Sequence, residues 1–165
     1  MTKRAMGAVL LALALPLSAC GSGDDEKAAN SISKELRDDQ GSEMSLDKKQ
    51  ADCVAEGFVD EIGTEKLQEY GMLDENFEAK STESLKMAEA DAEKAATTFE
   101  DCAPVKEMML GAFDQQQMPA EAKDCIEEKM TDEVLHDFLV DLFSGDEEGA
   151  GQGFGKAVQE CAAAG

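Results

Sequence analysis

Few residues in this chain are equipped for chemistry. Cysteines stand at Cys20, Cys53, Cys102, Cys125 and Cys161, and His136 is the single histidine. Zinc thiolate sites usually bring cysteines in close pairs such as C-x-x-C. The nearest two here, Cys102 and Cys125, are 23 residues apart. Neither a metal site nor a redox-active dithiol is expected. His136 sits beside Asp137 on an apolar stretch, flanked by Leu135 and Phe138. It reads as a helix-edge histidine rather than a general base. No Gly-x-Ser-x-Gly, His-Glu-x-x-His or Gly-x-x-x-x-Gly-Lys-Ser/Thr pattern occurs. Gly149, Gly151, Gly153 and Gly155 alternate, but they follow no strand and have acids beside them. They read as a flexible turn running from Gly145 to Gly155. Asp146-Glu147-Glu148 lacks the alternating oxygen ligands of a calcium loop. No catalytic residue, cofactor or metal ligand is therefore assigned.

The amino terminus carries an address. Lys3 and Arg4 precede 13 uncharged residues, Ala5 to Leu17. That is the length of a signal-peptide apolar region and short of the roughly 20 residues a membrane-spanning helix needs. Leu17-Ser18-Ala19-Cys20 then resembles a lipobox, the signal read by bacterial lipoprotein-processing enzymes. The resemblance implies a thioether-linked diacylglycerol on Cys20 and cleavage that removes residues 1–19. In many bacteria the new amino group is acylated as well. An ordinary secretory cut after Ala19 would put Leu17 at a position that wants a small residue. Two or more acyl chains anchor a protein stably. The expected location is the extracytoplasmic face of the cell membrane.

Residues 20–44 read as the lipidated cysteine and a flexible acidic tether. Only Ile32, Leu36 and Met44 are large and apolar there, too little to offset the entropy of ordering. A short helix between Ser33 and Asp39 is the one local alternative. From residue 45 to 163 the apolar residues recur at steps of three and four. Ser45 and Gly63 bound a first helix, and Thr64 and Gly71 a short second one. Leu85, Ala88, Ala92, Ala95, Ala96, Phe99 and Cys102 form the cleanest stripe. Pro104 and Pro119 each open a helix, Thr131 caps the most apolar one, and a last helix covers Lys156 to Ala162. No alternating strand pattern occurs. The spacing predicts one all-α domain of about six to seven short helices, with methionine and phenylalanine supplying much of the core.

Four cysteines besides Cys20 imply disulfides in an exported chain, and four allow three pairings. A weak duplication bears on the choice. Asp52-Cys53-Val54-Ala55-Glu56 matches Asp124-Cys125-Ile126-Glu127-Glu128, and Phe99-Glu100-Asp101-Cys102 matches Val158-Gln159-Glu160-Cys161. Thr64-Glu65-Lys66-Leu67 echoes Thr131-Asp132-Glu133-Val134. One unit spans 45–115 and the other 118–163, so Cys53–Cys102 and Cys125–Cys161 is the economical pairing. A lipobox followed by two such cysteine-bounded helical units resembles the small, uncharacterised envelope lipoproteins and secreted proteins of actinobacteria. That resemblance implies fold and address, and no activity.

Lys and Arg number 15 against 37 Asp and Glu, a net charge of −22. Loss of Lys3 and Arg4 with the leader takes it to −24. Nucleic-acid binding rests on cations at phosphates, so it is excluded as a function class. Anionic headgroups are repelled too, leaving lipid as the only hold on the membrane. The expected function is a non-enzymatic binding or envelope-interaction module, its partner a basic envelope protein or peptide. A small-ligand or cation carrier with a pocket between the two units is an alternative. A carboxylate-dependent hydrolase is a further alternative, because so many acids place some pair close together.

Overall fold

A computed structural model describes residues 23–38, 46–80, 85–115 and 118–164. The leader, the lipobox residues Leu17, Ser18, Ala19 and Cys20, and the end of the expected tether lie outside the described residues. The protein is all-α, with eight helices among those residues and a single isolated bridge, Leu73 to Ala79, in place of any strand.

The extra helix corrects the tether. Residues 23–38 form α1 (Gly23–Asp38), which is packed rather than free. Asp24, Asp25 and Glu26 in its first turn and Arg37 in its last complement the helix dipole. Ala28 and Ile32, four residues apart, are buried. Ser33 Oγ donates to Asp52 Oδ1 at 2.6 Å, and Ser31 Oγ accepts from the Ala79 N–H at 2.7 Å. The apolar surface of this segment is small in itself. It suffices because the segment packs on α2 instead of standing alone.

Helix α2 (Lys48–Glu61) begins at a capping box. Asp47 is the cap, two residues beyond the expected Ser45, and the Gln50 side chain returns a bond to its N–H at 2.9 Å. Gly63, at φ 91°, ends the run as expected. Thr64 was expected as a cap. It is instead the first residue of α3 (Thr64–Glu69), and its hydroxyl donates to Asp25 Oδ1 at 3.4 Å. Helix α4 (Glu89–Cys102) starts four residues after the apolar stripe does. The preceding stretch is extended because its Met87 N–H is taken by the Phe143 carbonyl at 2.9 Å. Helices α5 (Val105–Gln115) and α6 (Ala120–Lys129) follow Pro104 and Pro119. Helix α7 (Asp132–Ser144) is capped by Thr131 and closed by the left-handed Gly145.

The glycine-rich stretch is the second correction. Only Gly145 turns; Gly149, Gly151, Gly153 and Gly155 lie inside α8 (Glu147–Ala164). Asp146 Oδ1 accepts from the Gly149 N–H at 2.9 Å and starts the helix. Phe154, Val158 and Cys161 then pack against the core, outweighing the poor helix propensity of glycine.

The helices pack as a series, α1 on α2, α2 on α4, α4 on α7, α7 on α8, and α8 on α6. The two cysteine-bounded units thus share one core, joined where α4 meets α7. Phe143 of α7 stands 5.8 Å from Phe58 and 6.2 Å from Phe99, ring centre to ring centre. Phe154 joins Phe138 at 5.2 Å and Phe113 at 6.1 Å on the far side of α7. Met72, Met87, Met109 and Met130 are buried packing material. Disulfides link Cys53 to Cys102 and Cys125 to Cys161, as the duplication implied. Each closes a loop of 49 or 36 residues. In the chain-entropy account each stabilises the fold by roughly 4 kcal/mol.

Gly57 sets the distance between α2 and α4. A Cβ there would fall 2.4 Å from Thr98 Cγ2. In an open helix Gly→Ala would gain about 1 kcal/mol. At this crossing Gly57→Ala is expected to cost about 1–3 kcal/mol through overpacking, measured by denaturant unfolding. Thr98→Ala in the same chain, which removes the clashing methyl, is expected to recover most of that loss.

Candidate functional site

A cleft of about 650 Å³ opens where unit one meets unit two. Its walls are the last turn of α4, the first turn of α5 and the first turns of α7. Ala103, Val105 and Leu135, all buried, make the apolar floor. Glu100, Glu107, Asp132, Glu133 and Asp137 line it, together with Lys106 and His136. The local sequence explains the shape. Pro104 ends α4 and turns the chain directly into α5, while the Thr131 hydroxyl accepts from the Val134 N–H at 3.3 Å and starts α7 opposite. Cys102, held to Cys53, fixes the α4 wall against α2.

Within the cleft, His136 Nδ1 donates to Glu100 Oε2 at 2.9 Å. The carboxylate is an acceptor only, so it holds the proton on Nδ1 and leaves Nε2 as the other face of the ring. Among the described residues no serine, threonine or cysteine lines the cleft. The arrangement presents anionic oxygens over an apolar floor, suited to a cationic group with an aliphatic stem. His136 is a helix-edge residue, as its position in the sequence implied. Its partner Glu100 is 36 positions away, and only the packing of α4 on α7 joins them.

Asp141 and Asp146, outside the cleft, belong to the scaffold. Asp146 caps α8, and the Asp141 and Asp146 carboxylates both come within 2.8 Å of where a Cβ on Gly149 would lie. Burial, then the charges of Asp146 and Asp137, push the Asp141 carboxyl above its ordinary range. Among the described residues no group of three Asp, Glu, His or Cys is placed to hold a metal ion.

Asp91 is the buried carboxylate that sequence reasoning missed. It is 6 % exposed and accepts from Lys66 Nζ at 2.8 Å and from the Tyr70 hydroxyl at 2.6 Å. Those two bonds hold its carboxyl below the usual range, and Asp91 in turn raises Lys66. The available signal was its spacing. Asp91, Ala95 and Thr98 fall on the buried face of α4 at steps of four and three.

Comparison with protein-family models, curated proteins and solved structures yields no match. The class is defined by the molecule itself: a single all-α domain braced by two disulfides. Such bonds persist in oxidising, extracytoplasmic surroundings. No described helix is long and apolar enough to cross a membrane.

Asp91 carries a pH signature. Its folded-state carboxyl titrates below the unfolded one, so its stabilisation is complete above the ordinary range near pH 4 and is lost as pH falls through the folded value. Asp91→Ala is expected to cost about 1–3 kcal/mol at neutral pH. Unfolding curves of the variant and the parent should converge as the pH is taken below about 4.

Proposed function

We propose that this protein is a lipid-anchored extracytoplasmic module, held through Cys20, whose inter-unit cleft binds a basic segment of an envelope protein or peptide. The reading is non-enzymatic. It includes kinship with the small envelope lipoproteins and secreted proteins of actinobacteria. The observation that carries it is the cleft lining, five carboxylates against one lysine and one histidine above a buried apolar floor. A lysine or arginine side chain would lay its stem on Val105 and Leu135 and its charge among Glu100, Glu107 and Asp132. The net charge, −24 once Lys3 and Arg4 leave with residues 1–19, would steer such a partner in from a distance.

Calorimetric titration with an oligolysine peptide tests the site. The triple variant Glu107→Gln, Asp132→Asn, Glu133→Gln is expected to weaken binding at least tenfold, or about 1.4 kcal/mol. A charge-matched variant at the other end of the molecule, Glu65→Gln, Glu69→Gln, Glu89→Gln, is expected to change it little. Equal losses in both would mean diffuse charge attraction and would remove the cleft from the account. Saturable binding of a small polyamine with no peptide binding would favour the carrier reading, for which the position of the cleft between the units speaks.

The anchor has its own test. Intact mass of membrane-extracted protein is expected to start at Cys20, carry a diacylglyceryl group and show two disulfides. A chain that retains residues 1–19 would overturn the anchoring.

A further inference from the structure

The helix order assigns the two ends of the molecule. Helix α1 runs antiparallel to α2, since Asp25 meets Thr64 just beyond the end of α2 while Ser33 meets Asp52 near its start. Helix α2 runs antiparallel to α4, since Lys94 Nζ donates to the Glu61 carbonyl at 2.9 Å while Cys53 joins Cys102. Helix α4 runs antiparallel to α7, since Met87 bonds to Phe143 at one end and Glu100 to His136 at the other. The start of α1, helix α3, the start of α4 and the α7–α8 turn therefore share one end. The cleft lies at the opposite end. Helices α2 and α4 have 14 residues each. At 1.5 Å per residue the ends are about 20 Å apart.

The distance from the anchor to the fold is short. The chain passes from Cys20 through Gly21 and Ser22 to the first residue of α1, Gly23. Three steps of an extended chain reach at most about 10 Å. That leash cannot let the domain tumble far from the headgroups. The overall acidity opposes laying a long flank on an anionic surface, and the short leash is what keeps the first turn of α1 near it.

We infer that the anchored protein stands end-on, with the start of α1, α3 and the α7–α8 turn at the headgroups and the Glu100–His136 cleft about 20 Å farther out, facing away from the lipid. This rests on the Cys20 anchor proposed above. It makes the cleft a site for a partner arriving from outside rather than for a lipid headgroup.

The chain has no tryptophan, so a single introduced indole reports one position. Glu65→Trp on α3 and Asp101→Trp on the last turn of α4 are both exposed sites outside the cleft lining. Each lipidated variant is reconstituted into vesicles of phosphatidylcholine and phosphatidylglycerol containing dansyl-phosphatidylethanolamine. Energy transfer to the headgroup dansyl is expected to quench the indole at 65 strongly and that at 101 weakly. A flexible Gly/Ser insert of about 20 residues between Ser22 and Gly23, with a root-mean-square span of about 25 Å, is expected to erase the difference. Vesicle-bound protein with equal or reversed transfer at the two positions would overturn the orientation while leaving the anchor intact. Native protein that does not stay with the vesicles would overturn the anchor, and the orientation with it.

Discussion

Phe143 is the contact on which the rest of the architecture depends. It reaches from α7 between Phe58 of α2 and Phe99 of α4, and its carbonyl takes the Met87 N–H. Aromatic pairs in such edge and tilted geometries add to the area they bury. More consequentially, it ties α7 of the second cysteine-bounded unit to α2 and α4 of the first, within a common core. Each disulfide acts within a unit and cannot do that. Where α4 and α7 are drawn together around Phe143, their other ends meet as the two sides of the cleft. The seam that stabilises the fold is thus also the seam that presents Glu100 and His136 to each other.

Charge constrains the same molecule from outside. An acidic excess of 22 repels itself in the compact state. Ion pairs such as Lys34–Asp38 and Lys156–Glu160 lie in solvent, where such pairs contribute little. The buried exception among the described residues is Asp91, fully engaged by Lys66 and Tyr70. Covalent closure of two loops therefore carries weight that surface electrostatics cannot. The acids gather most closely over apolar surface at the cleft, where five of them surround its floor.

Much was legible in the chain itself, because the determinants are local. Periodicity of three and four, Thr131 as a cap, Gly63, Gly71 and Gly145 as stops and Pro104 and Pro119 as starts all act within one or two turns. The cysteine pairing followed from a repeat that needs no tertiary knowledge. Local determinants also misled, by a residue or a turn at Ser45, Thr64 and Leu85 and over whole segments in two places. Residues 23–38 looked too polar to order, and the alternating glycines after Gly145 looked like a turn.

Tertiary structure decided those two cases by supplying a partner surface. Ala28 and Ile32 need α2 beneath them, and a Cβ at Gly149 would meet the Asp141 and Asp146 carboxylates. The meeting of Glu100 with His136, the burial of Asp91 and the separation of the cleft from the first residue of α1 are likewise beyond any window of sequence. Each depends on which helices run antiparallel and which faces they share. Composition and spacing specify which face of a helix is apolar; only packing specifies what that face meets.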